Sequence, residues 1–251
     1  MGQKVNPIVN RLGLINGWQS IWIKNYNLNI KEDYDIREYI NKRFLKKFCI
    51  STILIERNRN KIIITICTSK PAIVIGKKGN EVEYIKKKIK NIIINNNINN
   101  NNFLLKKKNF NKKRINIYIN VVDVIKPQID ALLVAKNICR QIENRIYYKK
   151  IIKLSILYAM KMKIQGIKIQ ISGRLNGVEM SRRETYKKGI IKVSTFRSNI
   201  DYGFFEALTT YGKIGVKVWI MKGEIYKNFK NLKYFYKFFF KKKKKYIKKN
   251  K

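Results

Sequence analysis

Short runs of helically spaced or β-branched apolar residues predict the order of elements in the first half of the chain. Residues 34–48 place Ile36, Ile40 and Phe44 at the spacing of one helical face. Two β-branched runs follow, STILIERN and KIIITICTS. The polar RNRN between them predicts a hairpin with residues 57–60 at or near its tip.

The next segment predicts two helices joined by the loop Gly76-Lys77-Lys78-Gly79. SKPAIVIG suits a short helix that ends at Gly76, although its β-branched residues would equally suit a strand. From Asn80, NEVEYIKKKIKNIII has helical spacing, acids in its first turn and lysines in later turns. RINIYINVVDV then alternates as a strand. The predicted order is therefore helix, strand, strand, helix, helix, strand.

Changes in composition mark the segments around this unit. Residues 1–30 contain Gly, Asn and Pro and predict an extended arm, in which Trp18 and Trp22 are packing anchors. Residues 95–113 hold nine Asn and five Lys among 19 positions, which predicts a solvated insertion. The insertion falls inside a first domain that is predicted to span residues 31–125.

A second domain is predicted for residues 126–226, opened by a Lys-Pro linker. Residues 129–146 and 149–162 predict two helices. GIKIQIS, the polar VEMSRRETYKKG, NIDYGFFEALTT and IGVKVWIMKGEI predict a small sheet, so the fold class is α+β. Residues 227–251 mix Lys with Phe and Tyr, which predicts a flexible tail on a polyanion. A basic amphipathic helix on a membrane surface is the minority alternative.

The charge of the chain indicates nucleic acid as its main partner. Lys and Arg number 57 against 15 Asp and Glu, a formal net charge of +42 that would be strongly self-repulsive without a polyanion. Neutralised phosphates release counterions, which favours binding of such a chain to nucleic acid. The codon bias of an AT-rich genome would explain the excess of Lys over Arg, but it does not explain the scarcity of acids.

Several classes of function are excluded or disfavoured by the residues that the sequence lacks. It has no histidine, which excludes His-based triads and Cys/His zinc sites, and it has neither of the usual glycine-rich nucleotide loops. Cys49, Cys67 and Cys139 are widely spaced, as expected of small buried hydrophobic residues in a reducing compartment. The sequence shows neither a membrane-spanning run nor a signal-peptide core. We therefore expect no catalytic residues, cofactor, metal site or membrane partner.

The GxxG pattern is weak by itself, since the chain carries a second copy, GKIG, at residues 212–215 between two predicted strands. There the glycines simply make a turn. The first copy differs because it joins two predicted helices in the order given above. In a KH domain such a loop lets the backbone approach about four nucleotides, since glycine has no Cβ to clash. The context predicts that RNA is bound at Gly76, Lys77, Lys78 and Gly79.

At five segments the sequence resembles the bacterial-type ribosomal protein S-three (S3) family of the small subunit. The segments are MGQKVNPIVNRLG, PAIVIGKKGNEVE, KPQIDALLVAKNICRQIENRI, GIKIQISGRLNGVEMSRRETYKKG and DYGFFEALTTYGKIGVKVWIMKGEI. The resemblance runs in order from Met1 to about Ile225. It implies a type II KH domain, followed by an α+β domain of two helices and a four-stranded sheet.

The resemblance also implies a position in the head of the small subunit, in a bacterial cytoplasm or in an organelle with a bacterial-type ribosome. There the family binds small-subunit rRNA beside the channel through which mRNA enters, and helps to hold and unwind the mRNA. The implied protein neighbours are small-subunit proteins ten and fourteen. The Asn-rich insertion and the tail depart from the family pattern, so contacts of the family cannot be transferred to them.

The family's basic cluster on the mRNA channel corresponds to YYKKIIK, at Lys149, Lys150 and Lys153. Their i+3 and i+4 spacings put all three on one helical face. The family usually has arginine at the first two positions, and lysine keeps the charge but loses the bidentate fork. An ordinary solvated helix face is the alternative interpretation.

Two further groups are candidates for rRNA binding. The first lies on or beside the polar strand and consists of Arg174, Arg182, Arg183, Lys187 and Lys188. Because just 12 of the 57 basic residues are Arg, the guanidinium groups kept here suggest phosphate or stacking contacts, with a salt bridge to Glu179 or Glu184 as the alternative. The second group lies in the arm, which resembles an rRNA-threading element, and consists of Gln3, Lys4, Asn6 and Arg11.

The expected function is that of a ribosomal structural and RNA-binding protein. A free KH-type RNA regulator is the leading rival, but it leaves the arm and the second domain unexplained. An RNA-processing enzyme is the third class, and it lacks a convergent acid, base or metal cluster in the sequence.

Overall fold

The structure is a computed structural model that describes residues 5–22, 26–58, 61–104 and 116–226, with the backbone alone for residue 46 and residues 95–104. The chain divides into two compact units. One is Gln19–Pro127, and the other combines Met1–Trp18 with Gln128–Lys251. Each unit has its own sheet of four strands, so the α+β fold class is confirmed.

The first unit contains the predicted order of helix, strand, strand, helix, helix, strand. Its elements are β1 Ser20–Ile21, α1 Tyr26–Phe44, β2 Ile50–Arg57, β3 Lys61–Thr68, α2 Pro71–Ile75, α3 Asn80–Leu104 and β4 Asn116–Asp123. The strands lie in the order β1-β2-β3-β4. Strands β2 and β3 form the predicted antiparallel hairpin, whereas β4 runs parallel to β3. This topology is that of the type II KH domain.

The core of this unit is built from the inward positions of the strands and one stripe of each long helix. Ile55 and Ile64 from the hairpin are fully buried beside Ile36 and Ile40 of α1 and Ile85 of α3. Because β-branched residues alternate along β2 and β3, one face of the sheet is apolar and the helices cover it.

Two boundaries differ from the sequence prediction. Helix α1 begins at Tyr26, inside the segment predicted as arm. Tyr26, Leu28 and Ile30 are all exposed, so this first part of the helix has no apolar stripe that would have indicated it. Residues 20–21 pair with β2, so the segment predicted as arm splits between the two units. Helix α3 continues to Leu104, so the first part of the Asn-rich segment is helical and residues 105–113 lie outside the described residues.

The second unit contains two helices and an antiparallel sheet. Its elements are α4 Ala131–Glu143, α5 Tyr148–Lys161, β5 Gly166–Gly173, β6 Arg182–Gly189, β7 Ser198–Thr209 and β8 Gly212–Glu224. The strands lie in the order β6-β5-β8-β7. The GKIG copy at residues 212–215 begins at the β7–β8 turn, as predicted.

Both helices of this unit cover one face of its sheet. Ile214, Val216, Val218 and Ile220 of β8 are buried in a single cluster with Ile138 of α4 and Ile152 of α5. Gly203 allows α4 to approach β7, since a Cβ there would lie 2.4 Å from the carbonyl oxygen of Ala131. Asp130 caps α4 by accepting hydrogen bonds from the backbone N–H groups of Leu132 and Leu133.

Candidate nucleic-acid interface

The glycines of the GKKG loop hold a tight turn between α2 and α3. Gly76 has φ 72°, and a Cβ on it would lie 2.6 Å from Cγ of Glu81. Gly79 has φ 82°, but a Cβ there would meet nothing within 4 Å. The first glycine is therefore required by packing as well as backbone conformation, whereas the second leaves its backbone open to a ligand. Lys77 and Lys78 between them are exposed.

The loop is braced by an ion pair between two helices of the first unit. Arg43 at the end of α1 donates to both carboxylate oxygens of Glu81, at 3.3 and 3.1 Å. The hydrogen bond and the charge of Glu81 raise the pKa of Arg43. Because Glu81 also packs against Gly76, the pair fixes the position from which α3 leaves the loop.

A basic pocket between α3 and β4 was missed by the sequence analysis. It has a volume of about 310 Å³ and is lined by Lys86, Lys90, Asn116, Ile117 and Tyr118. The two lysines are four residues apart and share a face of α3. Tyr118 is 47% exposed on β4, an edge strand. The sequence did contain a signal for this pocket. Tyr118 occupies an outward position of β4, whereas Ile117, Ile119 and Val121 alternate along the strand.

In the second unit, the structure brings the three lysines of YYKKIIK together at the start of α5. Lys149, Lys150 and Lys153 are all exposed, whereas Ile151 and Ile152 between them are buried in the core. Lys149 also lies 5.9 Å from the ring centroid of Tyr148. The helix therefore presents the three charges from a packed support.

A hydrogen-bonded group of three residues ties this end of α5 to β6. The hydroxyl of Tyr148 donates to Glu184 at 3.0 Å and the hydroxyl of Tyr186 donates to the same carboxylate at 2.7 Å. The bond from Tyr186, the bond from Tyr148 and the charges of Lys149 and Arg182 lower the pKa of Glu184. Burial and the bond to Glu184 raise the pKa of Tyr148 to about 12.

The basic residues predicted on the polar strand fall on two faces of β6. Arg182 and Lys188 alternate with Arg183 and Lys187, and all four are exposed. The first pair lies on the side of Glu184, which faces α5, and the second pair lies on the opposite side. The carboxylate of Glu184 accepts hydrogen bonds from the hydroxyls of Tyr148 and Tyr186. It is therefore held by these bonds and not by a salt bridge to an arginine of the strand, which was the predicted alternative.

Arg174 stands apart from the exposed basic residues of this strand. Its guanidinium donates to the carbonyl oxygens of Val178, Tyr211 and Gly177 at 3.1, 3.4 and 3.5 Å. It also lies 5.6 Å from the ring centroid of Tyr211. These contacts hold the turn between β5 and β6 against the β7–β8 turn, so the first role of Arg174 is structural.

The structure corrects the prediction that Arg11 contacts rRNA. Arg11 is 1% exposed, and its guanidinium donates to the carbonyl oxygens of Pro7, Val193, Thr195 and Ser198 at 2.7 to 2.9 Å. A guanidinium with its donors committed to buried carbonyls has no surface to offer to a phosphate. The residue instead fastens the arm to the segment that precedes β7.

The other arm residues have separate outcomes. Asn6 is exposed, and its side chain accepts a hydrogen bond from the backbone N–H of Ile8 at 2.9 Å. Gln3 and Lys4 lie outside the described residues. Trp18 is 63% exposed, so its prediction as a packing anchor is wrong, whereas Trp22 donates from Nε1 to Asp33 at 3.2 Å.

Two features of other protein classes, a metal cluster and a membrane-spanning helix, are absent from the described residues. Within residues 5–22, 26–58, 61–104 and 116–226, no group of three acidic, Cys or His residues could hold a metal ion. None of the helices described in these ranges is long and apolar enough to cross a membrane.

The fold and the exposed basic groups define a KH-domain protein of the RNA-binding class, with a second α+β domain. A model of the KH domain matches residues 35–129, and a model of the ribosomal protein S3 C-terminal domain matches residues 138–220. The small ribosomal subunit protein uS3 of Karelsulcia muelleri is 52% identical over 98% of this chain and 99% of its own length. The uS3 proteins of Flavobacterium psychrophilum and Parabacteroides distasonis are 46% and 47% identical over 90% of this chain, covering 82% and 85% of their own lengths.

The chain belongs to the uS3 family of small ribosomal subunit proteins. Proteins of this family are structural constituents of the ribosome and are not enzymes. The family predicted from the sequence is therefore confirmed.

Proposed function

We propose that the protein binds small-subunit rRNA and lines the channel through which mRNA enters, where it helps to hold and unwind the mRNA. The observation that carries this proposal is the exposed triad of Lys149, Lys150 and Lys153, which α5 presents from a buried support. Three positive charges within two turns attract the phosphates of a passing strand without reading its sequence. The bond between Tyr148 and Glu184 keeps that end of the helix in place.

The KH unit supplies a second RNA contact in this proposal. Gly79 leaves its backbone open and Lys77 and Lys78 add charge, so the loop suits the sugar-phosphate backbone of a short single-stranded segment. Lys86 and Lys90 continue the basic surface along α3. The RNA bound there is rRNA or passing mRNA.

The rRNA contacts that we propose for the second unit are the exposed residues of β6, namely Arg182, Arg183, Lys187 and Lys188. Arg174 supports their strand from the adjoining turn. In the arm, Gln3, Lys4 and Asn6 remain candidates, and residues 227–251 would add charge-driven contact with rRNA. Small-subunit proteins ten and fourteen are the proposed protein neighbours.

A free KH-type regulator is not favoured by any observation. The uS3 relatives match the arm, the KH unit and the second unit together, not the KH unit alone. The site also includes α5, which lies outside the KH match.

Changing Lys149, Lys150 and Lys153 to alanine tests the proposal. We expect the variant to be retained in small subunits after a high-salt wash, because all three side chains are exposed and the core of α5 is unchanged. Translation through a stable mRNA hairpin should slow, while translation of unstructured mRNA should not.

The matched control is Lys161→Ala with Lys163→Ala. Both lysines are exposed, and they lie at the C-terminal end of α5 and just beyond it, away from the triad. Equal passage through hairpins by the triad variant and the unchanged protein would support the solvated-face interpretation. Loss of the unchanged protein from salt-washed subunits would contradict the rRNA contacts.

A further inference from the structure

The sheet of the second unit has a face that its helices do not cover. Strands alternate sides, so residues opposite each other in register form rows across this open face. One row consists of Tyr202, Trp219, Lys168 and Lys187. The next consists of Phe204, Lys217, Gln170 and Thr185. We define the open face by these two rows, which are about 7 Å apart along the strands.

The aromatic residues of the open face lie next to one another, with Tyr202 and Trp219 half-buried and Phe204 exposed. The ring centroids of Tyr202 and Trp219 are 5.4 Å apart, with the planes tilted by 47°. Phe204 is 43% exposed one row further on. The hydrophobic core lies on the other side of the sheet, where α4 and α5 pack, and these rings are not part of it. These rings are therefore partly accessible on a face that the helices leave uncovered, where an aromatic surface can receive a ligand.

Lysines accompany each of these rings. The ammonium of Lys168 lies 5.1 Å from the ring centroid of Trp219, and that of Lys217 lies 5.9 Å from the ring centroid of Phe204. In register, Lys168 is also directly opposite Lys187, and like charges in that position repel each other. An anion on the open face would relieve this repulsion, so the charge is complementary to a polyanion.

The charged residues in the two rows of the open face are all lysines, namely Lys168, Lys187 and Lys217. Glu206 follows Phe204 by two residues and therefore points to the same side, where it forms an ion pair of 3.3 Å with Lys213. Glu184 lies on β6 but points to the side of α5. The face thus keeps a positive charge beside its aromatic rings.

We propose that the open face binds unpaired nucleotides of RNA by stacking bases on Trp219 and Tyr202, with Phe204 for the following base. Lys168, Lys187 and Lys217 neutralise the phosphates. A four-stranded sheet with helices behind it and exposed aromatics in front is also the arrangement by which RRM domains bind single strands. The combination of stacking surface and backbone charge is typical of sequence-tolerant binding of single strands.

RNA suits this face better than a protein neighbour does. A protein surface would have to bury three lysines that are spaced among the rings, whereas a single strand supplies a phosphate for each base. The inference rests on the proposed RNA-binding function, but it concerns residues that neither the KH loop nor the lysine triad includes.

The test uses the full chain and a short oligouridine that contains 4-thiouridine. Photocrosslinks should map to peptides with Tyr202 or Trp219, in addition to peptides of the KH loop and the basic tail. In a Lys77→Ala, Lys78→Ala background, Trp219→Leu should weaken oligouridine binding about tenfold, since each stacked base contributes to affinity. Trp219→Phe keeps a ring and should restore most of it.

Changing Lys168 and Lys217 to glutamine should lower the slope of log affinity against log salt by about 1.4, because two phosphate contacts are lost. The control is Trp18→Leu, which removes an exposed tryptophan that lies outside the sheet. It should leave affinity and crosslinks unchanged.

Unchanged affinity and unchanged crosslinks in the Trp219→Leu chain would overturn the inference and assign the open face to a protein neighbour. If the Trp219→Leu chain loses its circular-dichroism spectrum, the folded chain with Lys168 and Lys217 changed to glutamine decides: an unchanged slope of log affinity against log salt would overturn the inference. Hairpin translation by the Lys149, Lys150 and Lys153 variant is a separate readout, so the two proposals can fail independently.

Discussion

The hydroxyl of Tyr148 donates to Glu184 at 3.0 Å and thereby joins the lysine-bearing end of α5 to the arginine-bearing strand β6. The two elements were predicted as separate RNA contacts, and the structure makes them neighbours. The charges of Lys149 and Arg182 both act on the same carboxylate. Glu184 therefore holds the lysines of α5 close to the arginines of β6, while its single negative charge neutralises little of their total positive charge.

Replacing Tyr148 with Phe should loosen this junction without altering surface charge. The buried ring stays, and the lost bond to an ionised acceptor predicts a decrease in the free energy of unfolding of about 1–2 kcal/mol. Denaturant unfolding of the full chain measures the change. Hairpin translation should fall less than in the triple-lysine variant, because the charges remain but their helix end is less fixed.

The control for this junction is Tyr158→Phe, which removes a hydroxyl from a half-exposed ring on the same helix. Its free energy of unfolding should change by less than about 0.5 kcal/mol. Equal destabilisation by the two changes would show that the bond between Tyr148 and Glu184 contributes nothing of its own.

Arg11→Ala should detach the arm from the segment before β7. Four buried carbonyl oxygens would lose their donor, so we expect the free energy of unfolding to fall by about 3 kcal/mol or more. Limited proteolysis should then cut near residues 5–18 sooner than in the unchanged chain. Arg11→Lys keeps the charge but cannot reach carbonyls in several directions, so it should rescue little.

Arg140→Ala is the matched control, since Arg140 is an exposed arginine of α4 in the same unit. It should leave both the free energy of unfolding and the proteolysis rate of the arm close to those of the unchanged chain. Comparable arm cleavage in the two variants would mean that Arg11 does not hold the arm.

Arg11 also shows where sequence reasoning ends. The order of elements in the KH unit was predictable because periodicity and turn residues are local signals, and they placed the GKKG loop between two helices. The burial of Arg11 depends on carbonyl oxygens more than 180 residues away, so no local pattern indicates it. Likewise, the alternation along β6 was visible, but the side on which α5 packs decides that Arg182 and Arg183 face different ways.

The two glycines of the KH loop should respond differently to alanine. Gly76→Ala combines a left-handed backbone with a Cβ 2.6 Å from Glu81, so the free energy of unfolding should fall by about 2 kcal/mol or more. Gly79→Ala has the backbone strain alone and should cost about 1 kcal/mol.

Glu81→Ala tests the steric part of the Gly76 effect. The double variant should cost less than the sum of the two single changes, because the contact with Cγ of Glu81 is removed, while the backbone strain and the contact with its Cβ at 2.8 Å remain. Strict additivity in denaturant unfolding would rule out the clash with Cγ. The lysines of the loop are tested separately. Lys77→Ala with Lys78→Ala should weaken RNA binding without changing the free energy of unfolding, because both side chains are exposed.

Glu224 gives a pH-dependent prediction at the end of β8. Hydrogen bonds from Tyr226, Lys192 and Arg197, at 2.6, 2.9 and 2.9 Å, lower the pKa of its carboxyl to about 2. A lowered pKa in the folded chain stabilises it above the ordinary carboxyl range, and that contribution is lost as the pH falls from about 4.5 to about 2. NMR titration of the Glu224 side-chain carbon measures the midpoint directly.

Tyr226→Phe removes the largest of these causes and should move the Glu224 midpoint upward, toward the ordinary carboxyl range. Lys192→Ala should move it in the same direction, since both the hydrogen bond and the charge of Lys192 lower this pKa. A Glu224 midpoint in the ordinary carboxyl range in the unchanged chain would show that the three hydrogen bonds do not persist in solution.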